Sequence, residues 1–157
     1  MDDSALDVLL DVIDQGFDRQ SWHGSNLRGS IRGVTCDQAL GRPQPQRHNI
    51  WEHVLHAAYW KYTVRRRILS EKRGSFPIQG SNWFKPQETT AAAWRRDIQL
   101  LRATHESMRA AIVDVPATQL HKRLPGAKVT YFVLISGVAA HDVYHAGQIQ
   151  LLKALQR

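Results

Sequence analysis

The segment "GVAAHDVYHAGQIQLLKAL", Gly137 to Leu155, constrains the chain more than any other. On a 3.6-residue wheel, Leu134, Val138, His141, His145, Ile149 and Leu152 share one stripe, while Gln150 and Lys153 fall outside it. This is a helix with one buried face, and two imidazoles lie on that face. Residues four apart on a helix project side by side, about one turn apart. An unpartnered polar ring in a core costs about 1–3 kcal/mol, so something must satisfy both.

The remaining pattern is helical as well. A first helix starts at Asp2–Ser4 and carries Leu6, Leu9, Leu10, Ile13 and Phe17 on one side. A shorter helical piece follows with Leu27 and Ile31 facing in, and "GRPQPQ" is a connection because of its prolines. The second long helix opens at Asn49, with Glu52 placed to complete a capping box, and runs through "IWEHVLHAAYWKYTVRRRIL". A third spans Thr90 to Val113 with the stripe Trp94, Ile98, Leu101, His105, Met108 and Ile112, and the last runs from Thr130 to Leu155. Connections fall at about 33–48, 70–89 and 114–129, without strand alternation or repeats. The expectation is an all-α four-helix bundle forming a single domain over residues 1–157.

Composition narrows the class. A chain of 157 residues, 43% hydrophobic and 22% charged, is long enough to bury a proper core. A single cysteine, Cys36, excludes an intramolecular disulfide and a cysteine-rich zinc module. The acidic, amphipathic start does not read as a signal peptide and no apolar run reaches membrane-span length, so the expected location is the cytoplasm. The net charge of +7 raises the question of nucleic acid. Its dense patch, Arg65-Arg66-Arg67 with Lys72-Arg73, closes a helix whose macrodipole favours cations, and no nucleic-acid fingerprint accompanies it. A specific nucleic-acid site is therefore not expected.

An i,i+4 histidine pair presents two imidazoles to one metal ion from a rigid helix, and bundle cores are a common place for such sites. Two ligands hold a divalent ion weakly, so a third is required. His105 qualifies by its central place on a stripe, His53 flanks the apolar side of the second helix, and His56 shares an arc with Glu52 and Thr63. Periodicity leaves these three open.

The combination of "HNIWEHVLHAAYWKYTVRRRI" with "HDVYHAGQIQLLK" resembles the DinB/YfiT-like superfamily of bacterial metal-binding four-helix bundles. The family's "E-x-x-x-H-x-x-x-W" pattern is met by Glu52, His56 and Trp60, and its "H-x-x-x-H-x-G-Q" motif by His141, His145, Gly147 and Gln148. The resemblance covers nearly the whole chain and implies a metal triad of His56, His141 and His145, leaving His105 as a pocket-lining or core histidine. It also implies a homodimer, which the glycines of the last helix (Gly137 and Gly147) favour by allowing close approach of another helix.

Further residues have assigned expectations. Glu52 caps its helix or accepts a hydrogen bond beside the metal, and Gln148 bonds a ring nitrogen or packs between helices. Trp22, His23 and Trp83 are candidate walls of a substrate pocket, Tyr144 is a packing residue, and Asp142 is a surface carboxylate. Three neutral imidazoles leave a divalent ion (Zn, Ni, Fe or Mn) its full charge and an open position. By resemblance this implies a metal-dependent hydrolase or a transferase using a low-molecular-weight thiol, acting on a small molecule. The competing expectation is a non-catalytic metal-binding or stress-response protein.

Overall fold

The computed structural model describes residues 4–157, so the expected helix start at Asp2 lies outside the described residues. Helices run over Ser4–Phe17 (α1), Leu27–Ile31 (α2), Cys36–Leu40 (α3), Ile50–Ile68 (α4), Ala91–Val113 (α5) and Tyr131–Ala154 (α6), with a 3-10 turn at Ala117–Gln119. The long helices α1, α4, α5 and α6 make the bundle. α4 packs most extensively on α5, while α6 is covered by α1, α4 and the short α2. Among the described residues there is no strand, only an isolated bridge between Arg123 and Thr130.

Local chemistry sets the helix starts. Asn49 Oδ1 accepts from Glu52 N at 2.9 Å while Glu52 Oε2 accepts from Asn49 N at 3.2 Å, the reciprocal bonds expected of a capping box. Thr90 and Thr130 cap α5 and α6 one way only, their hydroxyls accepting from Ala93 N and Val133 N. α3 lies inside the stretch expected to be a connection. Its signal was present, since Thr35 and Gln38 form a second capping box at the right spacing.

The core divides in two along the bundle. One apolar cluster gathers Phe17, Trp51, Leu55, Trp94, Leu101 and Ile149; the other gathers Ile13, Val64, Met108, Ile112, Ile135 and Val138. On every long helix the sequence passes from one cluster to the other through a buried polar residue: Asp14 on α1, Lys61 on α4, His105 on α5, Asp142 on α6. Burying such a layer is costly unless its members pair, and three of the four do; His105 Nδ1 finds no partner among the described residues, its ring stacking on Phe17. Lys61 Nζ donates to Asp142 Oδ2 at 2.5 Å, with the side chains 0% and 1% exposed. Arg109 grips Asp14 through two bonds of 2.6 and 2.8 Å.

Asp142 is thus not the surface carboxylate expected. It lies seven residues from Ile135 and from Ile149, on the buried face of α6. The reading failed because Asp142 and Lys61 each look solvent-seeking alone, and only their pairing across two helices makes burial possible.

Candidate metal centre

α4 and α6 meet where three imidazoles converge. His56 Nε2 lies 3.1 Å from His141 Nε2, and His145 Nε2 lies 2.9 Å from the same atom. The ligand-capable atoms of these three residues all fall within 4.8 Å of one another. The i,i+4 spacing on α6 places two of the rings, and α4 supplies the third. Ligands about 2.0–2.1 Å from a tetrahedral ion stand about 3.3 Å apart, close to the separations seen.

The hydrogen bonds orient the rings. His56 Nδ1 donates to the Asn82 carbonyl at 2.7 Å, which leaves its Nε2 with a lone pair aimed at His141. His145 Nδ1 and His53 Nδ1 share a bond of 2.8 Å; a proton on His145 Nδ1 leaves its Nε2 free as well. His141 Nε2 then faces two lone pairs but has at most one proton to give. The three nitrogens cannot all be satisfied by one another, and a cation among them removes the conflict. The donor set therefore fits a divalent ion.

Burial keeps the rings neutral, the state that ligation requires. It pushes His141 from the ordinary 6.5 down to about 4, with His56, Lys61 and His53 adding repulsion. His145 is driven to about 2, first by burial and then by its histidine neighbours. His53 is lowered to about 4 by burial and by His48 and His56, and burial also lowers His56.

Trp83 walls the centre. Its ring is sandwiched between His48 at 3.6 Å and His56 at 3.8 Å, nearly parallel to both. The preceding residue, Asn82, was not foreseen. It has φ +68°, a conformation asparagine tolerates better than most residues, and it touches the centre twice. Its carbonyl holds His56, and its side-chain oxygen accepts from Trp60 Nε1 at 3.1 Å. The "GSN" turn before Trp83 was the available signal.

The other candidates are distributed as follows. Glu52 bonds none of the three rings; Arg42 donates to it at 2.7 Å, His48 Nδ1 approaches at 2.9 Å, and Asn49 N completes the set. Burial pushes its carboxyl up, but the bonds from Arg42 and His48 outweigh this and hold it below the ordinary value. Gln148 is half-buried and lines a cleft of about 390 Å³ with Arg47, His53, Trp83 and Tyr144. His105 is buried away from the centre, stacked on Phe17 at 3.5 Å. Trp22 is 99% exposed and His23 is exposed, so neither walls a pocket at the centre.

A helical bundle with three inward imidazoles shared between two facing helices defines a class of candidate metal-binding bundle proteins. Within it, the chain belongs to the DinB superfamily, whose sequence profile matches residues 20–149. No curated protein and no solved structure matches it.

Proposed function

We propose that this protein is a metal-dependent enzyme acting on a small molecule, with one divalent ion held by His56, His141 and His145 and one position left open. The observation that carries this reading is the convergence of three Nε2 atoms, with no carboxylate or thiolate of the described residues in the same group. A divalent ion bound there lowers the pKa of a coordinated water or thiol and polarises an oxygen. The chain's own residues orient the rings. Asn82 and Trp83 fix His56, His53 fixes His145, and the indoles of Trp60 and Trp83 pack against the His56 ring. Hydrolysis, or transfer of a low-molecular-weight thiol to an electrophile, is the reaction class that fits. Zinc, nickel, iron and manganese all accept imidazole ligands.

A second reading has one observation in its favour. The nearest carboxylate of the motif, Glu52, is occupied by Arg42, His48 and Asn49 and makes no bond to the cluster. Without a base beside it, the metal would serve to staple α4 to α6 in a non-catalytic metal-binding or stress-response protein. The two readings are separated by screening metal-loaded and chelator-stripped protein against esters, amides and electrophiles offered with low-molecular-weight thiols. Turnover that appears only with metal and disappears in His141→Ala supports the enzyme. Full metal occupancy without any turnover, together with unfolding on chelation, supports the staple.

The molecule is further proposed to work as a homodimer. Ala140, Tyr144, Gly147 and Leu151 form an exposed stripe of small and apolar residues along α6. An added Cβ at Gly147, within that stripe, would meet no other part of the chain, which leaves room there for the close approach of a partner helix. Among the described residues no helix is long and apolar enough to cross a membrane. A cytoplasmic location suits the free thiol of Cys36 and a thiol cosubstrate. The basic surface is read as having no specific nucleic-acid partner.

A further inference from the structure

Of the three rings, His141 lines a cleft of about 230 Å³ between α4 and α6. Its walls are Trp60, Val64, Val133, Leu134 and Val138, and Arg67 is the one cation in its lining, the His141 ring being neutral. The three arginines that end α4 differ in their partners. Arg65 pairs with Glu71 at 2.9 Å and Arg66 donates to the Glu71 carbonyl at 3.1 Å. Arg67 is half-buried and has no ion pair or side-chain hydrogen bond among the described residues. The helix macrodipole favours cations in this turn generally, but it does not explain a guanidinium set unpaired against an apolar wall.

Seven residues of α4 separate Trp60, which packs beside His141, from Arg67; that is about 10 Å of helix rise. We infer that this cleft binds an amphipathic organic anion of about that length. Its carboxylate or equivalent group pairs with Arg67, its body lies on Val64, Val133 and Val138, and its far end reaches His141. A cleft below about 300 Å³ suits a medium-chain acid better than a larger ligand. The inference rests on the metal-centre reading only in naming which end of the ligand would react. Binding itself depends on the cleft and not on the ion.

The test uses octanoate and octan-1-ol as probes, with binding followed by calorimetry and ligand-observed NMR on metal-free protein. Octanoate should bind about tenfold tighter than the alcohol, the equivalent of one charge-assisted contact. Arg67→Gln should erase that preference and leave the alcohol unaffected, while Arg73→Gln should change neither. Gly137→Leu, at an exposed position where an added Cβ meets no atom within 4 Å, should fill the cleft and abolish both. Wild-type protein that takes up no metal should still prefer octanoate to the alcohol, and wild-type protein that takes up metal can still lack that preference, so this result and the metal reading fail separately. Octanoate binding no tighter than octan-1-ol, or an Arg67→Gln variant that keeps the preference, overturns the inference. So does a wild-type dimer that binds neither probe and dissociates in Gly137→Leu, because the cleft is then covered by a second copy.

Discussion

Replacing Lys61 with Met should remove a large share of the fold's stability. Methionine approximates the lysine stem, so packing against Phe17, which lies 5.0 Å below the ammonium, is largely kept. What is lost is the only hydrogen-bonding partner of the Asp142 side chain among the described residues. Its Oδ2 accepts from Lys61 at 2.5 Å, its Oδ1 already has none, and the side chain is 1% exposed. Burial pushes the Lys61 ammonium down and the Asp142 carboxyl up, each opposed by the other's charge. Stranding one member of a buried pair costs about 3–5 kcal/mol, against a total stability of about 5–15 kcal/mol for a domain. Replacing both members with Lys61→Met and Asp142→Leu should return to within about 2 kcal/mol of wild type, or exceed it. Urea unfolding of metal-free protein, with an unchanged slope, is the assay. A single variant that loses less than about 1 kcal/mol would refute the reasoning, because the layer between the two apolar clusters would then not depend on pairing.

Other consequences follow from the same geometry. His53→Phe should weaken metal binding by about 10–100-fold in chelator competition, and His53→Gln should recover part of it, since the 2.8 Å bond to His145 Nδ1 sets that ring's tautomer. His105 has a folded-state pKa near 2, lowered by burial and then by Lys61 and Arg109, against 6.5 when unfolded. The unfolded chain therefore takes up a proton that the native one refuses: the stability is full above pH 6.5 and falls as pH drops toward 2. His105→Leu should flatten the pH dependence between pH 6 and 4 by up to about 1.4 kcal/mol per unit, read from chemical unfolding at each pH. DNA binding should be weak, indifferent to sequence and steeply salt-dependent; tight selective binding at physiological salt would contradict the reading of the basic surface.

The long helices were legible because each carries its own periodic stripe and its own cap, as Asn49 with Glu52 and Thr130 before Tyr131 show. α3 was missed although Thr35 and Gln38 announce it, because five residues are too few for periodicity to register. The i,i+4 pair on α6 was legible for the same reason as the helix itself. The third ring was not, since choosing between His53, His56 and His105 is a question of which helices face each other, and that is not written in any one helix. The structure gives His53 and His56 different parts in one network and buries His105 elsewhere. Asn82 was missed because the turn signal of "GSN" does not say what the turn reaches: its carbonyl holds His56 and its side chain holds Trp60, both on a helix distant in sequence. Trp22 shows the opposite limit: an aromatic side chain in a loop suggested a pocket wall, and it lies open to solvent.

Metal content tests the central claim most directly. Protein produced without an affinity tag is analysed for bound metal by mass spectrometry, alongside the His56→Ala, His141→Ala, His145→Ala and His105→Ala variants, each first shown to be folded. The account predicts one divalent ion per chain in the wild type and in His105→Ala, and loss of stoichiometric metal in the other three. A His56→Ala variant with full occupancy beside an empty His105→Ala would contradict the triad, and metal content unchanged by every substitution would contradict the metal centre itself.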